Sequence, residues 1–194
     1  MKKLLALLAA CAAASSFALA EGTEQPYRGF EARDITSLSD QDIADLRAGA
    51  GWGLALPAEL NGFPGPAHVL ELADELSLTK GQQDQVSAIY EAMRLEAVAQ
   101  GEALIVAERA LDAGFRAGNL DAPDLRRLID AAATARADLR YVHLSRHLMT
   151  LDILNSEQVA AYAVLRGYAD DPCASVPEGH DATMWRRHNG CDNG

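Results

Sequence analysis

The chain has 194 residues and is acidic, with 28 Asp and Glu against 17 Lys and Arg, which gives a formal net charge of −11 at pH 7. This charge disfavours nucleic acids and anionic membrane surfaces as partners, because both repel an acidic protein. The length indicates one domain, and aromatic residues form only 6% of the chain, which excludes a large aromatic core.

The first 20 residues have the pattern of a secretory signal peptide. Two lysines precede an apolar run over residues 4–14, and the small residues at 18–20 provide a cleavage site that leaves Glu21 as the first exported residue. A second interpretation is a lipoprotein cleavage box ending at Cys11, although only a short apolar run precedes it. We favour the signal peptide and therefore expect an exported protein.

Residues 21–66 are predicted to form an N-terminal arm. The first part, residues 21–38, is polar without a sustained period, which predicts an extended or disordered stretch. Ser39 and Asp42 then have a spacing that caps a short helix. Residues 48–66 are rich in glycine and proline, with large apolar residues between them. Because no strand precedes this segment, we predict a loop packed on the main body and not a phosphate-binding loop.

Residues 67–168 show helical periodicity and no convincing strand. A short helix is predicted at 68–76, followed by a long one at 79–117, which would extend about 60 Å if unbroken. A second long helix begins near Asp121, and a last one begins at Asn155. We therefore predict an all-α fold, built on a long antiparallel helical hairpin with shorter flanking helices.

The predicted hairpin carries more apolar surface than two thin arms can bury. Apolar residues recur at helical spacing over residues 86–115 and again over 128–153. A second copy of the chain is the simplest cover for these stripes, so we expect a homodimer.

Two similar motifs open helices on either side of the hairpin. They read Leu-x-x-x-Gln with a capping residue after the leucine, at Leu78, Thr79 and Gln82 and at Leu154, Asn155 and Gln158. Thr and Asn side chains accept hydrogen bonds from the first turn of a helix, and a glutamine three residues on can reach back to the cap. Each cap is expected to contribute about 1 kcal/mol.

The paired motifs resemble those of the Spy/CpxP family, small all-α periplasmic proteins of Gram-negative bacteria. The resemblance covers roughly residues 67–168, and it departs from the family's Leu-Thr-x-x-Gln pattern where Asn155 replaces threonine. It implies a periplasmic location and a dimeric cradle. Family members include ATP-independent chaperones for unfolded envelope proteins, partners of sensor kinases, and proteins that bind zinc, nickel or cobalt.

From this resemblance we take an ATP-independent chaperone of the envelope stress response as the first function hypothesis. The alternative is a heavy-metal-binding sensor or regulatory subunit of a signalling system, with a sensor kinase as its partner. Membership of a family does not choose between these classes. We expect no enzyme, because the sequence lacks a G-x-S-x-G, P-loop or H-E-x-x-H motif.

The second long helix carries a mixed stripe that is the predicted client-binding surface. Its basic residues lie three and four apart, and leucines flank them: Arg136, Arg140, His143, His147, Leu144, Leu148 and Leu151. Unfolded chains present both carboxylates and apolar side chains, which such a surface can contact together. The alternative is an ordinary solvated stripe beside the core.

Three histidines form a candidate metal set. His143 and His147 lie one turn apart, a spacing that can bind a divalent ion from one face of a helix. The resemblance also implies histidines ahead of the first motif, where His68 stands, but Leu72 occupies the position one turn later. The set is incomplete, so we expect that no cofactor is required and keep Zn, Ni or Co as candidate ions.

Residues 169–194 are predicted to form a tail with two cysteines. Because exported cysteines usually oxidise, we favour a disulfide between Cys173 and Cys191. The alternative is a zinc site completed by His180 and His188, although the spacing fits no familiar zinc finger.

Overall fold

The structure, a computed structural model, describes residues 25–189 and residue 191, and the described part is helical without a β-strand. Its helices are α1 (Asp40–Ala48), α2 (Leu56–Glu59), α3 (Pro66–Glu71), α4 (Lys80–Arg116), α5 (Ala122–Leu151), α6 (Ser156–Leu165) and α7 (Ala182–His188). The predicted all-α fold is confirmed, whereas the predicted signal peptide and lipoprotein cysteine lie outside the described residues. None of the described helices is both long and apolar enough to span a bilayer.

The two long helices, α4 with 37 residues and α5 with 30, form the predicted hairpin. Glu96 pairs with Arg146 towards one end, and Gly114 faces Leu128 towards the other, so the helices run antiparallel. Asp121 caps the start of α5 by accepting a hydrogen bond from the backbone N–H of Asp124. The predicted homodimer stays a prediction.

Helix α1 packs against α4 at a glycine. Ser39 and Asp42 form the capping box that starts α1, as the sequence predicts. A Cβ at Gly101 of α4 would lie 2.4 Å from the carbonyl oxygen of Leu46, so only glycine permits this approach. Glycine inside a helix costs about 1 kcal/mol relative to alanine, and this close packing offsets that cost.

The end of the first part of the N-terminal arm, residues 34–38, contributes to the core. Ile35 is fully buried and Leu38 nearly so, and both pack with the apolar residues of α1, α4 and α5. Asp34 pairs with Arg109, and Thr36 donates a hydrogen bond to Asp112, which fixes this segment along α4. The predicted extended or disordered stretch is therefore wrong over these residues, because two apolar residues suffice to anchor an otherwise polar segment.

The short helix α3 ends earlier than predicted. The sequence predicts helix over 68–76, but α3 ends at Glu71, and turns continue to Ser77, which has a φ of +49°. Leu76, within these turns, and Leu78, just after them, are buried together with Val86 and Tyr162.

Both predicted capping boxes are present, and they meet. Thr79 and Asn155 each accept a hydrogen bond from the N–H three residues on. The side-chain amides of Gln82 and Gln158 also bond each other, with Nε2–Oε1 distances of 2.8 and 3.2 Å. We call this pair the glutamine clasp. It explains why the motif occurs twice, because each copy completes the hydrogen bonding of the other.

The tail is closed by the predicted disulfide. The Sγ atoms of Cys173 and Cys191 lie 2.07 Å apart. The alternative zinc site is therefore wrong, since both thiols are used by the disulfide. Trp185 of α7 donates a hydrogen bond to the carbonyl of Pro172, and the ring of His180 meets the Trp185 ring edge-on.

Candidate functional sites on helix α5

The structure divides the predicted client-binding stripe. Arg136 and Arg140 are exposed, but His143 and His147 have only 3% and 4% of their surface accessible. The prediction that the histidines belong to an exposed basic stripe is therefore wrong. The reason is long-range, because the backbone carbonyl of Phe63 hydrogen-bonds the His147 ring and brings the Gly/Pro-rich segment against this side of α5.

Arg136 takes part in holding the same segment. Its guanidinium lies 4.7 Å from the centre of the Trp52 ring, within the range of a cation–π contact. The Trp52 indole N–H donates to Asp42 of α1. Arg136 thus links α5 to the arm, and Arg140 is the stripe's cation without such a contact among the described residues.

The three leucines of the stripe and Tyr141 form an apolar surface that we call the outer face of α5. Leu148 is 56% exposed, and Leu144 and Leu151 are half-buried. Tyr141, 71% exposed, also lies on this face and was not among the predicted residues. Its position three residues before Leu144 is the signal that would have found it.

The buried histidines line a cavity of about 340 Å³, which we call the histidine cavity. Its walls come from four well-separated parts of the chain, and their apolar residues include Trp52, Leu56, Met93 and Tyr168. Its polar residues are Glu59, His68, His143, His147 and Arg166. All three histidines of the predicted metal set therefore line this cavity.

At one end of the cavity, His147 and Glu59 lie against Gly65. The Nδ1 atom of His147 lies 2.7 Å from the Phe63 carbonyl oxygen, so Nδ1 carries a proton and donates it to this oxygen. A Cβ at Gly65 would lie 3.1 Å from Nε2 of His147 and 2.7 Å from Oε1 of Glu59. Both side chains therefore pack closely against Gly65, and a larger residue at this position would clash with them.

Glu59 is held in place by a buried tyrosine. The Tyr162 hydroxyl donates to Oε2 of Glu59 at 2.7 Å. Burial, and then the hydrogen bond to this carboxylate, raise the pKa of Tyr162 well above its ordinary value. Tyr162 therefore stays protonated and fixes one oxygen of Glu59, while Oε1 faces Gly65.

Two nitrogens of the cavity residues are buried without a hydrogen-bond partner among the described residues, Nε2 of His143 and Nε of Arg166. Burial, and then the proximity of His147, lower the pKa of His143 below its ordinary value. His143 is therefore neutral near pH 7. Buried polar atoms without partners are rare in proteins and require an explanation at each site.

The predicted metal site is not assembled in the described part of the chain. His68 uses Nδ1 to contact Glu71 at 2.7 Å. Within residues 25–189, no group of three or more His, Cys, Asp or Glu side chains has an arrangement that could hold an ion. The three histidines share a cavity but do not surround one point, so metal binding stays a prediction.

No family model matches this chain, and neither the curated proteins nor the solved structures provide a match. The Spy/CpxP resemblance therefore stays a prediction that rests on the paired motifs. The structure adds a physical role for those motifs in the glutamine clasp.

Proposed function

We propose that this protein is an ATP-independent, chaperone-like protein of the cell envelope, which binds unfolded or partly folded polypeptides on the outer face of α5. The exposed Tyr141 and Leu148 carry the proposal, because they lie on one face of one helix. Contiguous apolar side chains on a soluble protein are typical of interaction sites.

Arg140 gives this face its charge preference. It lies one turn before Leu144 and is exposed. A guanidinium can pair with a client carboxylate while its planar surface lies on apolar groups. Clients with acidic residues among apolar ones are therefore the expected class, although the protein itself is acidic.

The experiment is suppression of aggregation of a chemically unfolded client without ATP. We expect the double variant Tyr141→Ser, Leu148→Ser to lose most protection, because each apolar side chain buried on binding contributes about 1.5–3 kcal/mol. A matched control is Leu95→Ser with Val106→Ser, which removes exposed apolar residues from α4. Equal protection by both double variants would contradict the proposal.

A second copy of the chain is the other candidate cover for the outer face. Sedimentation of the Tyr141, Leu148 double variant separates the two roles. Loss of protection with an unchanged oligomeric state supports client binding. Dissociation of a dimer with unchanged protection would assign the face to self-association instead.

A further inference from the structure

From residue 170 onward, the described tail makes its hydrogen bonds within itself. The Trp185 indole donates to the Pro172 carbonyl at 2.7 Å, and the Cys191 N–H donates to the Arg186 carbonyl at 2.9 Å. The other hydrogen bonds of this stretch also join two tail residues. No ion pair among the described residues includes the tail. Neither kind of contact therefore fastens the tail to the helical body.

Apolar packing does not fasten the tail to the body either. Helix α7 has no buried residue, and its Met184 is 73% exposed. The two apolar clusters of the described residues contain no tail residue. Trp185 is half-buried, and the contacts of its ring and indole N–H are with His180 and Pro172, both in the tail. The tail is therefore a separate small unit at the end of the chain.

Helix α7 is too short to be stable by itself. It has seven residues, and isolated helices shorter than about 12–15 residues are marginal in water. Asp181 caps its start, but one cap does not replace missing turns. The disulfide encloses the helix, because Cys173 precedes it and Cys191 follows it, 18 positions apart. A disulfide stabilises a folded segment mainly by restricting its unfolded state, so α7 depends on this bridge.

We propose that the tail is a redox-sensitive module. The bridge between Cys173 and Cys191 keeps α7 folded, and reduction of the bridge unfolds α7 and exposes Trp185. The helical body over residues 34–168 stays folded when this happens, because its buried clusters do not include the tail. The inference does not rest on the chaperone proposal, since the outer face of α5 contains no tail residue.

The reductant for this step is a dithiol. Both cysteines are partly exposed, so a small dithiol can reach the bridge. One thiolate of the dithiol attacks an Sγ atom, the S–S bond of the bridge breaks, and a mixed disulfide forms with that cysteine. The second thiolate of the dithiol then displaces the cysteine. The dithiol has given up two electrons and two protons and ends as a disulfide, and Cys173 and Cys191 end as thiols.

Tryptophan fluorescence tests the release of α7. The chain has two tryptophans, Trp52 in the arm and Trp185 in the tail. We expect dithiothreitol to shift the emission of the wild type to longer wavelength, because Trp185 becomes exposed to water. The control Trp185→Phe should not shift. No shift in a wild type whose two thiols are shown to be free, or an equal shift in the control, would overturn the proposal.

Proteolysis tests the same step without a reductant. The double variant Cys173→Ser, Cys191→Ser cannot form the bridge. We expect trypsin to cleave it after Arg186 and Arg187 about tenfold faster than the wild type, because cleavage follows the population of the unfolded segment. Cleavage after Arg94, on the exposed side of α4, is the internal control and should be equally fast in both proteins. Equal cleavage at Arg186 and Arg187 would overturn the proposal.

Denaturant titration tests whether the body is independent of the tail. Circular dichroism follows the main unfolding transition of the wild type, with and without dithiothreitol, and of the double serine variant. We expect the same midpoint in all three samples, which supports a separate module. A midpoint that falls when the bridge is absent would show that the bridge stabilises the whole fold, and it would overturn the proposal.

Discussion

The glutamine clasp and the histidine cavity both lie beside α6. They differ in whether their buried polar groups have hydrogen-bond partners. In the clasp, Gln158 donates to the Leu76 carbonyl at 3.2 Å and to Gln82, and it accepts from Gln82 and from the Asn155 N–H. Its amide therefore has partners on both its nitrogen and its oxygen. In the cavity, Nε2 of His143 has no partner among the described residues.

The difference indicates two roles. A satisfied network of buried amides specifies one structure, because each lost bond leaves its partner unpaired. A buried group without a partner adds little to stability and is tolerated where it serves another purpose. We therefore assign the clasp to the fold, and the following predictions compare it with the cavity.

Breaking the clasp is expected to have the largest effect. Gln158→Leu removes an amide with several partners and leaves Leu76, Asn155 and Gln82 each short of a hydrogen bond. We expect a loss of about 2–4 kcal/mol in the free energy of unfolding, measured by denaturant titration. The double variant with Gln82→Leu should lose less than the sum of the single variants, because the two side chains interact directly. Additive losses would contradict the clasp.

Acidification is expected to lower the free energy of unfolding by an intermediate amount, because of His143 in the cavity. The pKa of folded His143 lies below 6.5, so below that pH the unfolded chain takes up a proton that the folded chain excludes. Stability should be constant above pH 6.5 and should fall by up to about 1.4 kcal/mol per pH unit below it, until the folded pKa is reached. The groups that line the cavity with His143 are Glu59, His68, His147 and Arg166.

The measurement is denaturant titration between about pH 7 and pH 5, above the range in which most carboxylates titrate. His143→Leu should flatten the profile, whereas the control His188→Leu, at an exposed position of α7, should not. A wild-type profile that is flat over this range would contradict a neutral, buried His143.

Replacing the unpartnered histidine at neutral pH is expected to have the smallest effect. His143→Leu removes no hydrogen bond that the structure describes and keeps a side chain of similar size. We expect a change of about 1 kcal/mol or less in the free energy of unfolding at pH 7, in either direction. A loss as large as that of Gln158→Leu would show that His143 holds the fold together as the clasp does.

The sequence predicted the features that depend on neighbouring residues. The capping boxes at Thr79 and Asn155 are local, and the apolar spacing of α4 and α5 depends only on helical geometry. The disulfide was predicted from the expectation that the chain is exported, where cysteines usually oxidise. These parts of the fold were predicted correctly because each depends on a short segment or on composition.

The features that the sequence did not predict depend on contacts between distant parts of the chain. Gln82 and Gln158 are 76 positions apart, and Phe63 and His147 are 84 apart, so neither contact follows from the spacing along a helix. The helical wheel placed the histidines beside Arg140 correctly, but it had no information about the segment that covers them. Tyr141 was missed although its spacing to Leu144 was visible.

The most direct test of the proposed function is photo-crosslinking from α5 to an unfolded client. A photoreactive amino acid placed at position 141 or 148 should form crosslinks with the client in the absence of ATP, because both residues are exposed on the outer face. The same probe at position 106 of α4, which is also exposed, is the control. Crosslinks from 141 and 148 that are absent at 106 are the predicted result. Equal crosslinking from all three positions, or none from 141 and 148, would contradict client binding on the outer face.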